Sequence, residues 1–120
     1  MLCRRETPKY ANGKRRFLKA GKGPLKVDGR RLLDSIEKLG KIGVNESGGI
    51  DRVCLTPNFD EGARFLVSLM EDAGLDVVID QVGNIIGIAN GASSLEPVVS
   101  GSHIDTVVNG GRLDGAYGVL

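Results

Sequence analysis

Tryptophan is absent, and aromatic residues make up only 4% of the 120. That leaves no platform on which nucleic-acid bases could stack. The two cysteines, Cys3 and Cys54, are too few and too far apart for a zinc knuckle or a disulfide framework, so the expected compartment is a reducing cytoplasm. No stretch approaches the roughly 18 apolar residues of a membrane helix. The basic start is not followed by the apolar run of a secretory signal. Histidine occurs once, as His103. What is present is an apolar fraction of 41%, enough for a core and against wholesale disorder, together with 18 glycines. Length and composition fit one turn-rich α/β domain.

The net charge of +1 conceals two unlike parts. Residues 1–27 carry nine Lys or Arg against Glu6 alone, a balance of +8. Residues 28–120 carry seven basic and fourteen acidic residues, a balance of −7. The basic head has few large apolar side chains (Leu2, Tyr10, Phe17, Leu18, Leu25) and no period, so a solvated, disordered tail is expected. A nucleic-acid or anionic-surface arm is the sharper alternative. A transit peptide should be rich in Ser, and residues 1–27 contain none.

Along the body, Leu32, Leu33, Ile36 and Leu39 recur at helical spacing. They predict a helix over 28–39 with Asp28 as N-cap and Gly40 as stop. Residues 41–55 are Gly-rich and irregular. Thr56-Pro57 reads as a cap followed by proline in the first turn. A second helix is expected over 57–73, with Phe59, Ala63, Leu66, Val67 and Met70 on its buried face. Asp60 and Glu61 suit its positive end; Gly62 weakens it by about 1 kcal/mol relative to Ala. Residues 75–80 and 85–89 read as strands of an antiparallel hairpin around Val82-Gly83-Asn84. Residues 90–96 read as a polar loop, and Pro97-Val98-Val99-Ser100 as a buried third strand. A further helix is expected from Asp114. The order implies an α/β fold, an incomplete mixed sheet with flanking helices.

The polar chemistry gathers in the last twenty residues. His103 follows the third expected strand, and ligands of open α/β sheets bind beyond the carboxyl ends of strands. An imidazole that binds a metal needs its other ring nitrogen held, and Asp105 stands two residues away to do so. Asp114 follows after a spacer softened by Gly110 and Gly111. A carboxylate there could bridge two cations about 3.5–4 Å apart. Each residue also has a plain reading: His103 as a hydrogen-bonded structural histidine, Asp114 as a helix cap, Asp105 as part of a turn.

The segment Gly101-Ser102-His103-Ile104-Asp105-Thr106-Val107, followed by Asn109-Gly110-Gly111-Arg112-Leu113-Asp114-Gly115-Ala116, resembles the metal-site signature of the hydantoinase/carbamoylase-type amidases. That family includes N-carbamoyl-L-amino-acid hydrolases, allantoate amidohydrolases and β-ureidopropionases, among the di-metal aminoacylase- and carboxypeptidase-like hydrolases. The helix at Arg31-Leu32-Leu33, the Gly48-Gly49 loop before Arg52, residues 70–75 and the Val82-Gly83-Asn84 turn also fit. Val108 departs, since the family usually has Pro there. The resemblance covers about residues 28–120, which it makes the N-terminal part of a catalytic domain. It implies that His103 and Asp114 bind metal, Asp114 bridging two ions, and that Asp105 is the catalytic-site carboxylate orienting His103. The implied cofactors are two divalent ions: zinc, or manganese, cobalt or nickel. The implied reaction is hydrolysis of a carbamoyl or ureido C–N bond of a small molecule. The implied assembly of the full-length family is a homodimer. No membrane partner is expected from the hydropathy, and the body offers no reading helix or aromatic platform for nucleic acid.

In that family a Glu-Glu pair and two further His lie downstream of the position of Asp114. Neither Glu46 nor Glu96 matches a family ligand, and a catalytic zinc usually has three protein ligands. The expectation is therefore a fragment, inactive alone, with an open sheet edge prone to aggregate. The alternatives are a metal-free, non-catalytic fragment and a nucleic-acid-binding module that uses the basic head.

Overall fold

The computed structural model describes residue 24, residues 26–89 and residues 96–120. Most of the basic head and of the polar loop at 90–96 lies outside the described residues, so the expectations for both fall there too. Helix α1 spans Gly29–Leu39. Asp28 caps it, its Oδ1 accepting from the Arg31 backbone N–H at 3.1 Å. Helix α2 spans Pro57–Asp72, and Thr56 caps it by accepting from the Phe59 N–H at 3.3 Å. Both starts stand where the cap residues predict them. None of the described helices is long and apolar enough to cross a membrane.

Strands β1 (Asp76–Ile79) and β2 (Ile85–Ile88) form the expected antiparallel hairpin, with Val78 opposite Ile86. Its tip is a three-residue loop closed by the Gly83 N–H donating to the Asp80 carbonyl. Gly83 adopts φ +94°, the backbone sense this loop class demands. Gly87 lets the hairpin lie on the end of α2: a methyl group there would stand 2.8 Å from Leu75 Cδ1 and 3.2 Å from Met70 Sδ.

The buried apolar cluster is Leu39, Leu66, Ile104 and Ala116, flanked by Ile42, Phe59, Ala63, Phe65, Met70 and Ile85. The helices and hairpin thus form an α/β fold around a small core. Leu33 departs from the expected apolar face of α1: it is exposed, while Ser35 is buried beside Ile36 and Leu39. On a 3.6-residue period Leu33 sits about 100° from Leu32, off the narrow stripe that meets the core.

Two expectations are corrected near the C-terminal end. Pro97–Ser100 is not a buried strand: Val98 is 97% exposed and Val99 89%. The described residues form a two-stranded sheet only. With no strand beside it among the described residues, the segment has no ladder to join. The last helix, α3, is also short, Ala116–Val119, and does not start at Asp114.

Candidate functional site

From His103 to Thr106 the side chains alternate in burial. Ile104 and Thr106 are buried, while His103 and Asp105 face outward. The segment is fixed from the side by the Gly-rich stretch 43–52. Ile50 forms isolated bridges with Val44 and with Gly110. The Ile50 N–H donates to the Gly110 carbonyl at 3.0 Å, and the Gly110 N–H donates to the Ile50 carbonyl at 2.9 Å. Thr106 Oγ1 accepts from the Arg52 N–H at 2.9 Å and donates to the Ile50 carbonyl at 3.0 Å. Asn109, at φ +57°, donates its N–H to Asp51 Oδ1. Its Oδ1 lies 2.6 Å from Ser47 Oγ and accepts from Asn45 Nδ2 at 3.2 Å. What reads in sequence as an irregular loop is a clamp on the loop that carries the candidate residues.

Arg52 is the deepest element of that clamp, at 1% exposure. Its Nε donates to the Ile104 carbonyl at 2.6 Å. One terminal nitrogen donates to the carbonyls of Leu39 at 2.9 Å and Ile42 at 3.1 Å. The acceptors at Leu39 and Ile42 belong to the end of α1 and the turn after it, where helix carbonyls lack intrahelical donors. Burial pushes the Arg52 guanidinium below its ordinary value, and the Asp105 carboxylate opposes that shift.

His103 stands between the two aspartates. Its Nδ1 lies 3.1 Å from the Asp105 carbonyl oxygen and 3.3 Å from Asp105 Oδ1. Two acceptors at Nδ1 favour the tautomer with the proton there, which leaves the Nε2 lone pair free. Nε2 faces Asp114 Oδ1 at 3.7 Å. That is beyond a hydrogen bond, and near the roughly 3.4 Å between two donors that share a tetrahedral cation at bond lengths of about 2.1 Å. All three side chains are about half exposed, so solvent reaches the gap.

The sequence thus names His103, Asp105 and Asp114, and the structure places His103 beside each of the two aspartates, one at either ring nitrogen. Their placement differs from expectation in one respect: they leave a clamped loop, not the end of a sheet strand. Asp114 is not a helix cap, because α3 has Gly115 at its N-cap and no side-chain cap bond. The imidazole and one carboxylate oxygen fit one edge of a divalent-cation shell, His nitrogen and carboxylate oxygen being donors that zinc and its neighbours accept. They do not complete a shell. Among the described residues, no three His, Cys, Asp or Glu side chains converge as a metal cluster.

Two neighbours of the site are hidden in the sequence. Gly115 adopts φ +64°, ψ −43°. The Ala116 N–H donates across it to the Asp114 carbonyl at 2.6 Å, a γ-turn of the rare positive-φ kind. A methyl group on Gly115 would overlap the His103 carbonyl oxygen and stand 2.6 Å from ring atoms Nδ1 and Cε1. Arg52 is the second, and the signal that could have found it is a lone basic residue between apolar Ile50 and Val53 after a Gly pair.

No family model matches the chain. Among curated proteins it is similar to the allantoate amidohydrolase of Bacillus subtilis (strain 168), 42% identical over 90 residues, which are 74% of this chain and 22% of that protein. It is 42% identical over 95 residues to the N-carbamoyl-L-amino-acid amidohydrolase of Pseudomonas sp. (strain NS671), covering 78% of this chain and 23% of the relative. The crystal structure of a hydantoinase/carbamoylase family amidase from Burkholderia ambifaria matches with a TM-score of 0.75 and 40% identity, over 78% of this chain and 24% of that one. The chain thus spans less than a quarter of the length of these relatives.

Proposed function

Since this chain belongs to the hydantoinase/carbamoylase family of amidases, we propose that it carries part of the metal site of an amidohydrolase. The reaction class is hydrolysis of a non-peptide C–N bond in a carbamoyl or ureido group, as in N-carbamoyl amino acids or allantoate. The names of the relatives support that chemistry. The carrying observation within the molecule is His103, held at Nδ1 by Asp105 and facing Asp114 across 3.7 Å at Nε2.

In this reading His103 and Asp114 hold a divalent cation: zinc, or manganese, cobalt or nickel. Such a cation supplies Lewis-acid polarisation of a carbonyl and lowers the pKa of water. Asp105 keeps the proton of His103 on Nδ1, so that Nε2 offers its lone pair outward. Ile104 and Thr106, buried on the other side, keep the backbone from turning the pair inward.

The test is a zinc titration of the 15N-labelled chain, followed by the ring signals of His103. The expected result is a zinc-dependent shift of those signals, abolished in Asp114→Asn. A His103 spectrum indifferent to zinc would reject the metal reading. The same reading holds that the chain alone is inactive, because a catalytic zinc keeps about three protein ligands and the whole sequence has one histidine. Manganese-dependent turnover of N-carbamoyl amino acids or allantoate by the purified 120 residues would contradict that part.

A further inference from the structure

We propose that Arg52 is the positioning residue of the candidate site, tying the main chain between His103 and Asp105 to the end of α1 and thereby setting the direction in which both side chains leave the core. Ile104 is the residue between them, and its carbonyl accepts from Arg52 Nε at 2.6 Å. The other end of the same planar group is anchored at the carbonyls of Leu39 and Ile42. A guanidinium holds its donors in one fixed plane, so anchoring one edge orients the other. Rotation of the peptide at Ile104 would swing His103 away from Asp114 and break the Nε bond together.

No close ion pair accompanies the burial of this charge, although the Asp105 carboxylate acts on it from beyond contact distance. Among the described residues Arg52 forms no salt bridge, and all its side-chain acceptors are main-chain oxygens. Taking a charge out of water is costly before its bonds are counted, and an apolar side chain of similar volume would avoid that cost. An apolar side chain could not donate to the Ile104 carbonyl. The α2 helix also gives way to this residue, with Gly62 against its stem. The arrangement favours direction at Ile104 over cheap packing. Only the consequence for metal ligation rests on the reading of His103 and Asp114 as ligands; the orientation of His103 does not.

The experiment uses the full chain without metal and compares wild type with R52K and R52Q by NMR. Two nuclear Overhauser contacts are followed: His103 Hε1 to Gly115 Hα at the site, and Val78 to Ile86 across the hairpin as a control for folding. Lysine keeps the charge but not the planar fork. The expected result is loss of the His103–Gly115 contact in both variants with the hairpin contact kept. Persistence of the His103–Gly115 contact in R52K or R52Q would overturn the proposal. Loss of both contacts in both variants would also overturn it, by making Arg52 a general core residue. If zinc leaves wild-type His103 unmoved while R52K still displaces it, the metal reading falls and the assignment of Arg52 stands.

Discussion

Gly62, in the middle of α2, lies against the stem of Arg52: a methyl group on its Cα would stand 2.6 Å from Arg52 Cδ and 3.3 Å from Nε. Arg52 cannot step aside, because its hydrogen bonds at both ends fix it. In an exposed helix interior, Gly→Ala stabilises by about 1 kcal/mol. Forcing a methyl group into packed space costs about 1–3 kcal/mol. The second effect wins here, so Gly62→Ala is expected to lower the urea midpoint of unfolding. A midpoint equal to or above that of the wild type would show that the contact yields.

Thr106 joins the clamp to the site segment through one hydroxyl, which accepts from the Arg52 N–H and donates to the Ile50 carbonyl. Thr106→Val keeps the shape and leaves that buried N–H without an acceptor, at about 1–3 kcal/mol. Thr106→Ser keeps both bonds and loses one methyl group, worth about 0.8 kcal/mol. The expected order of stability in urea is wild type, then Ser, then Val. Equal midpoints for Val and Ser would show that the hydroxyl carries little of the connection.

The hairpin tip responds to acid. Asp80 accepts from the Asn84 side chain at 2.8 Å, from the Asn84 N–H at 2.9 Å and from the Val82 N–H at 3.0 Å. The bond from the Asn84 side chain, then those from the backbone, hold the carboxyl below its ordinary value of 3.8. A carboxylate with its folded value depressed contributes stability above the unfolded value, about 3.9, and loses it as pH falls through the folded value. The backbone amide signals of Val82 and Asn84 are therefore expected to stay constant above about pH 5 and to move together below the unfolded value. In Asp80→Asn that joint movement should disappear. Its survival would assign the acid response to another group.

Local chemistry made the helix starts and the hairpin legible. Asp28 and Thr56 act on donors three residues away, and the Val82-Gly83-Asn84 turn closes on itself. The same holds for the candidate site, since His103, Asp105 and Asp114 lie within twelve residues. The parts that escaped depend on partners distant in sequence. Pro97–Ser100 has the composition of a strand, but a strand exists only beside another. Arg52 bonds main-chain carbonyls up to 52 residues away, and carbonyls carry no side-chain code. Gly62 reads as a weak point in a helix until Arg52 is set against it. Gly115 reads as part of a helix start until the His103 ring is found on it.

That last contact gives the sharpest test at the site. Gly115 holds a positive φ in a γ-turn, and its α-carbon is covered by the His103 ring and carbonyl. Gly115→Ala meets both obstacles. The backbone conformation costs about 1–3 kcal/mol for a residue with a β-carbon, and the methyl group occupies the place of the ring. The ring has room to leave, because half of its side-chain surface is already open to solvent. The expected outcome is a folded chain, with Val78–Ile86 contacts kept, in which His103 has lost its contact with residue 115 and its distance to Asp114 has grown. Zinc should then shift the His103 signals less than in the wild type. If His103 responds to zinc as before, the seat on Gly115 is not what aims the imidazole at Asp114, and the bonds of Asp105 to the ring and of Arg52 to the Ile104 carbonyl suffice to hold it.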